Sequence, residues 1–151
     1  MNYWLFKSEP DAYGIDHLAA GRTTVWDGVR NYQARNYLRS AEVGDAVLFY
    51  HSNSKPPGIA GLARVIAARI PDPSQFDPDS KYFDPKSNAA DPRWITVEVE
   101  FVEKFPTYLP LDMLRERFSG DELIVVRTGS RLSVMPVDIA VAQRLVAMAR
   151  G

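Results

Sequence analysis

The sequence predicts an α+β domain with a mostly antiparallel, curved or barrel-like sheet, and three observations carry that prediction. Ile95, Val97, Val99 and Phe101 alternate with Thr96, Glu98 and Glu100, the period of a half-buried strand. Ala34, Tyr37, Leu38 and Ala41 recur at i, i+3, i+4 and i+7, which makes one apolar stripe of a helix. The elements run strand, helices, several strands, then short helices, and this is not the alternation of a parallel βαβ sheet.

Taken in order, Asn2 to Lys7 reads as a short aromatic strand ended by Glu9-Pro10. Ile15 to Ala20 reads as a short helix closed by Gly21. Asn31 to Ala41 is the firmer helix, with Asn31, Arg35 and Arg39 sharing a second face. Gly44-Asp45 turns the chain into a strand from Ala46 to His51. After the Asn53 to Gly58 loop comes a longer strand, Ile59 to about Arg69. Pro71 to Pro92 holds five prolines and many aspartates without periodicity, the pattern of an ordered or mobile loop. The alternating strand follows, then a short helix from Pro110 to Arg117 and a short apolar segment, Leu123 to Val126. A last strand is expected over Arg131 to Met135 and a terminal helix over Val137 to Met148. No repeat or linker divides residues 1–151, so one domain is expected.

Composition bounds the function. Of the 151 residues, 46% are hydrophobic and 25% charged, which describes a globular chain. A net charge of −1 argues against strong non-specific nucleic-acid binding. The charge is uneven, with 8 basic against 6 acidic residues over 1–70 and 10 against 13 over 71–151. A local basic face is therefore expected in the first half. Without cysteine the chain has no disulfide, thiolate metal site or cysteine nucleophile, which fits a cytoplasmic location. His17 and His51 belong to no metal-ligand spacing, and no metal or cofactor is expected. There is neither a secretion signal nor an apolar run of membrane-spanning length.

The tryptophans are the functional clue. Trp4, Trp26 and Trp94 each sit among polar and charged residues, as a pocket for a flat polar ligand requires. Trp26 precedes Asp27-Gly28 between elements, where strand packing explains it poorly. Trp94 opens the alternating strand, so a core or sheet-edge ring is an equal reading there. Arginines outnumber lysines 13 to 5, which suits bidentate or stacked contacts. Arg30, Arg35 and Arg39, with Arg127 and Arg131 in a polar loop, are candidates for a nucleic-acid backbone. Gly58 and Gly61 flank Ile59 at a strand start and permit either a bulge or close backbone approach to a ligand. His51-Ser52 is no triad pair, because neighbours on a strand face opposite ways. An enzyme using His51 with Glu9 or Asp27 remains an alternative, as does a domain that binds a small molecule or protein in the same pocket.

Eight ordered blocks then resemble one family. They include Trp4-Leu5-Phe6-Lys7-Ser8-Glu9-Pro10, Trp26-Asp27-Gly28-Val29-Arg30-Asn31, Phe49-Tyr50-His51-Ser52, Gly58-Ile59-Ala60-Gly61 and Tyr82-Phe83-Asp84-Pro85-Lys86-Ser87. The others are Gln33-Ala34-Arg35-Asn36, Pro92-Arg93-Trp94 and Arg131 to Val137. Together they resemble the EVE domain over nearly the whole chain. The resemblance implies a PUA-like curved β-barrel with flanking helices, near the YTH and ASCH domains. It also implies a non-enzymatic module whose partner is nucleic acid, DNA or RNA, carrying a modified base, with modified cytosine in DNA the leading candidate. On that resemblance Trp26 is a pocket wall, and Lys7, Ser8, Asp27, Asn31, His51 and Ser52 are its polar rim. Gly58 to Gly61 brings backbone to the ligand, and Trp94 matches a strand-heading aromatic of the YTH group. Glu9, Tyr50 and Ile59, carried by the same blocks, complete the candidate base-contacting set.

Overall fold

Alternation along two central strands explains how the sheet acquires two buried faces. In β1 (Tyr3–Ser8), Trp4 and Phe6 join one apolar cluster and Leu5 joins another. A run that is apolar at successive positions is what burial on both faces demands. The computed structural model describes residues 1–151. After β1 come α1 (Pro10–Tyr13), α2 (Ile15–Gly21), β2 (Thr23–Val25) and α3 (Tyr32–Ser40). β3 (Ala46–His51), β4 (Gly58–Pro71) and β5 (Ile95–Pro110) follow, then α4 (Leu111–Arg117), β6 (Val134–Val137) and α5 (Ile139–Arg150). β3 repeats the pattern of β1, with Val47 and Phe49 on the face of Trp4, and Leu48 and Tyr50 on the face of Leu5.

The six strands form one sheet in the order β2-β5-β4-β3-β1-β6. Only β1 and β3 pair in parallel, and the other neighbours are antiparallel. This is a mixed α+β sheet. Its ladder is not closed into the expected barrel, because β2 and β6 lie at opposite edges. Ile15 and Leu18 of α2 and Ala34 and Leu38 of α3 cover one face. Leu114 of α4, with Val141, Leu145 and Ala149 of α5, covers the other. No helix is long and apolar enough to cross a membrane.

Several expected boundaries move, each for a local reason. The alternating strand does not stop near Phe101 but runs on to Pro110. Pro106 sits between Lys104 and Leu109, where the pairing with β4 breaks register, so its missing N–H removes no ladder bond. The last strand starts at Val134, leaving Arg131 to Ser133 in the preceding loop. The terminal helix starts at Ile139 because Asp138 caps it, accepting from Ala140 N at 3.1 Å and Val141 N at 3.2 Å. Val137 therefore belongs to β6. The residue that ends α2 with a left-handed backbone is Arg22 at φ 72°, not Gly21. β2, three residues long, carries too little pattern to be read and forms by pairing with Glu98 to Glu100 of β5.

Candidate functional site

β1 and β3 run in parallel, so both end at the same edge of the sheet, with Ser8 beside His51. A cleft of about 770 Å³ opens there. Its walls come from the residues after these strands, the segment joining β2 to α3, the Lys81–Tyr82 turn and the loop that carries Arg131 and Ser133.

The β2–α3 segment is the most tightly fixed wall. Asp27 N donates to Val25 O at 2.9 Å, which turns the chain immediately after Trp26. Gly28 has φ +83° and a Cβ there would meet the Tyr82 ring at 2.6 Å, so glycine is required on two counts. Its N–H donates to Asp72 Oδ2 at 2.8 Å. Asn31 Oδ1 accepts from Ala34 N at 2.9 Å and caps α3, leaving its amide nitrogen without a protein partner.

Trp26 is a core residue with one edge on the cleft. It is 7% exposed, with Phe6 at 5.2 Å and Phe49 edge-on at 5.5 Å. Its carbonyl accepts from Thr96 Oγ1, itself buried. The indole Nε1 has no hydrogen bond in the protein, yet no fully buried polar side-chain atom lacks a partner. That N–H consequently keeps solvent access, and the cleft is the opening Trp26 borders. Trp26 lines the cleft as the resemblance implies, and at 7% exposure it is better placed to donate a hydrogen bond there than to offer a bare ring face.

The remaining polar groups divide by whether they are already engaged. Lys7 is half-buried with no ion pair or hydrogen bond from its ammonium, which lies 5.9 Å from the Tyr50 ring centroid. Burial holds that ammonium below the ordinary lysine range. Partial burial, then the neighbouring Asp72 carboxylate, pushes the Asp27 carboxyl above the usual range, and Arg30 opposes the shift. Apart from its own backbone N–H, nothing in the protein donates to the Asp27 carboxylate. Glu9, Ser52 and the exposed Arg131 also reach the cleft with uncommitted side chains. Ser8 is spent: its hydroxyl donates to Tyr13 O at 2.6 Å and holds α1 in place.

Arg30 lines the cleft yet is saturated. Its Nε and Nη2 donate to Tyr82 O at 3.1 and 2.8 Å, and Nη2 also to Ser74 Oγ at 3.0 Å. Nη1 donates to Val29 O at 2.8 Å and Asp72 Oδ2 at 3.0 Å. A guanidinium has five N–H groups, and all five are used. The residue expected to grip phosphate is instead a clamp that fastens the Pro71 to Pro92 segment onto the cleft wall.

Other expected site residues lie elsewhere. His51 does not line the cleft with Trp26. Its Nε2 accepts from Ile15 N at 3.1 Å, while His17 Nδ1 accepts from Gly14 N at 2.8 Å, so the two imidazoles hold the start of α2. Burial lowers the His51 imidazole below its ordinary value, as an acceptor role requires. Neither Glu9 nor Asp27 bonds to it, so the expected acid–base pair is not assembled. Tyr50 is buried on the opposite face, and its phenol is pushed up to about 12 by burial. Gly58 and Gly61 serve close packing. A Cβ at Gly58 would meet Leu109 O at 2.3 Å, and one at Gly61 would meet Ile15 Cδ1 at 2.5 Å, while Ile59 between them is core. Trp94 is 6% exposed, donates to Asp84 Oδ2 at 2.9 Å and stacks on Tyr32 at 5.0 Å. Arg35 and Arg39 line a separate depression, and Arg127 donates to Gly120 O at 2.8 Å away from the cleft.

Tyr13, Thr24, Asn53, Lys81, Tyr82 and Ser133 line the cleft and are not among the candidates the sequence singles out. Tyr82 and Ser133 carry a signal, through the Tyr82 to Ser87 and Arg131 to Val137 blocks.

Comparison with known proteins agrees with this architecture. Human thymocyte nuclear protein 1 is 40% identical over 154 residues, spanning 90% of this chain and 68% of that protein. A Pseudomonas putida protein of known crystal structure is 48% identical, with a TM-score of 0.93 over 97% of this chain and 99% of that one. The human THYN1 protein in complex with 5-methylcytosine-containing DNA is 34% identical, with a TM-score of 0.91 over 100% of this chain and 99% of that one. The Mmi1 YTH domain shares the fold at a TM-score of 0.53, 11% identity, 97% of this chain and 86% of that one. The model of the EVE domain matches residues 2–148, and the chain belongs to that family.

Proposed function

We propose that this protein is a non-catalytic DNA-binding module that seats a modified cytosine, 5-methylcytosine first among candidates, in the cleft at the ends of β1 and β3. The observation that carries the reading is the close match to human THYN1, whose structure holds 5-methylcytosine-containing DNA. The cleft supplies compatible chemistry. An anionic carboxylate accepts from the exocyclic amine of cytosine, and Asp27 is the uncommitted carboxylate on the most rigid wall. The Lys7 ammonium, the Trp26 indole N–H and the Asn31 amide are donors available to the ring oxygen and nitrogen. Tyr13, Tyr82, Val25 and Val29 provide the apolar surface. Extruding a base costs a few kcal/mol, and a contact with an aromatic face returns about 1–3 kcal/mol. We place the sheet, curved by its irregular β4–β5 pairing, with the PUA-like barrels, and the protein in the cytoplasm.

The test is a pair of titrations at one salt concentration, using a duplex with one 5-methylcytosine and the same duplex unmodified. The expected result is tighter binding of the modified duplex. Equal affinity for both, with RNA carrying the same base bound more tightly than either, would move the reading to RNA.

A further inference from the structure

Beyond the cleft, the chain has a second depression of about 270 Å³ with no hydrophobic residue on its wall. Arg35 and Arg39, one turn apart on α3, face Lys86 and Arg93 from the Pro71 to Trp94 segment. Asp91 is the one carboxylate on that wall. Asp84, outside it, takes part of the Arg93 charge at 3.5 Å. Arg39 and Lys86 are exposed, and their side chains have no hydrogen bond or ion pair. Four cations around one carboxylate repel one another, and an anion between them relieves that repulsion. Arg35 reports the crowding: burial, then Arg39, lowers its guanidinium from the ordinary value, with Arg93 acting in the same direction.

A stacked ladder joins this depression to the cleft. The Arg30 guanidinium, fixed on the cleft wall, lies 5.0 Å from the Trp94 ring centroid; Trp94 stacks on Tyr32 at 5.0 Å, and Arg35 covers Tyr32 at 4.8 Å. Those three steps reach at most about 15 Å, which at 3.4 Å per nucleotide of one strand is about four nucleotides. Arg30, Trp94 and Arg35 are held by hydrogen bonds, so their spacing is set before any ligand arrives, and the exposed Tyr32 ring lies stacked between Trp94 and Arg35. Trp94 is fixed through Asp84 and Gln75, and Arg35 donates to Arg93 O at 3.0 Å.

We infer that the Arg35–Arg39–Lys86–Arg93 depression is a phosphate-binding subsite for the DNA backbone, placed within a few nucleotides of the base seated in the cleft. This rests on the base-binding reading above and adds to it the anchor that fixes the strand's register. Phosphate contacts position a nucleic acid without reading its sequence, whereas the cleft reads the base. The division explains how a chain of net charge −1 binds a polyanion: four of its 18 Lys and Arg side chains meet at one place.

The experiment compares the parent with the double variant Arg39→Gln, Lys86→Gln, whose side chains hold nothing in the fold, and with Arg144→Gln on α5 as a control. Binding of the methylated and unmethylated duplexes is measured across a series of salt concentrations, with thermal melts to confirm folding. The inference expects the double variant to bind both duplexes more weakly by the same factor, with its salt slope reduced by about 1 for each phosphate that the variant no longer neutralises. The ratio between the two duplexes stays at the parent's value, and Arg144→Gln matches the parent. An unchanged slope and affinity in the double variant overturns the subsite and leaves the base reading standing. A parent that prefers neither duplex, with the slope still reduced in the variant, overturns the base reading and leaves the subsite. A parent that binds no DNA at low salt overturns both.

Discussion

The cleft and the segment that closes beside it, Pro71 to Trp94, are equally polar but use their polar groups in opposite ways. In the segment, Asp72 is 1% exposed and accepts from Gly28 N, Arg30, Ser74 N and Ser74 Oγ. Gln75, fully buried, donates to Asp72 O and Trp94 O and accepts from Ser87 Oγ and Trp94 N. Neither of these two side chains has a hydrogen-bonding group left to offer a ligand. In the cleft, Lys7, Asp27 and the Trp26 N–H have surrendered part of their hydration without gaining a protein partner. A polar group in that state favours any ligand that completes its hydrogen bonds. The difference separates residues that build the site from residues that contact what enters it, and Arg30 and Asp27 fall on opposite sides although three positions apart.

Asp72→Ala puts the segment's half of this contrast under the heaviest strain. It removes one acceptor from four donors and leaves the Arg30 guanidinium, 22% exposed, without its counter-ion. Breaking a buried pair from one side costs about 3–5 kcal/mol. Denaturant unfolding should show a loss in that range, together with loss of binding as the Gly28 wall is released. A loss under about 1 kcal/mol, the value of an exposed ion pair, would show that the segment is not clamped as described.

Legibility in the sequence follows the same division. β3 is legible to both its ends and α3 to within a residue, because Gly44-Asp45 and Asn31 are strong local signals. Burial bears out most of the α3 stripe: Ala34, Leu38 and Ala41 are buried and Tyr37 half-buried. The Pro71 to Pro92 loop lacks periodicity because side-chain hydrogen bonds from Asp72 and Gln75 organise it, not a repeating backbone pattern. The bonds that tie Asp72 to Gly28 and Arg30, and Gln75 to Ser87 and Trp94, are long-range, and no local spacing announces them. The site is half legible for a related reason. Lys7, Asp27, Asn31 and Ser52 can be placed near one another from motif blocks alone. That Arg30 is saturated, that His51 serves α2 and that Gly58 and Gly61 face β5 and α2 depend on what folds against them.

A milder substitution tests the cleft's half. Asp27→Asn keeps shape and removes charge at a residue with no protein partner. Its effect on stability should stay within about 0.5 kcal/mol, as for surface changes away from a network. In the binding assay it should narrow the gap between cytosine-type bases and thymine, because the anionic acceptor for the exocyclic amine is gone. The parent should mirror this with pH. The carboxyl's raised value means that acceptor strength is lost as pH falls through it, earlier than for an ordinary aspartate. Selectivity that is flat in pH and unaltered by Asp27→Asn would remove Asp27 from base reading.

His51 offers the subtlest change, and its sign distinguishes a structural imidazole from a ligand contact. Its folded value lies below the unfolded one, so the unfolded chain takes up the proton first. The stability this contributes is complete above about pH 6.5 and is lost as pH falls through the lower folded value. The loss arises first from burial, which disfavours the charged imidazole, while Asp16 and Lys104 act in opposite directions; a protonated Nε2 also cannot accept from Ile15 N. Asp27 has the opposite sign, since a raised carboxyl contributes stability that fades as pH rises through its folded value. Measuring in the Asp27→Asn background removes that overlap. Denaturant unfolding between about pH 7.5 and 5 should then show stability declining toward acid, with a slope of at most about 1.4 kcal/mol per pH unit for one group. Adding His51→Gln, whose amide oxygen can accept from Ile15 N at any pH, should flatten the decline over this range. DNA affinity at the neutral end of the range should remain at the value of the Asp27→Asn parent, because His51 lies off the cleft. A drop in affinity with stability intact would place His51 on the ligand after all, and would reopen the division between the residues that hold this fold and those that face the DNA.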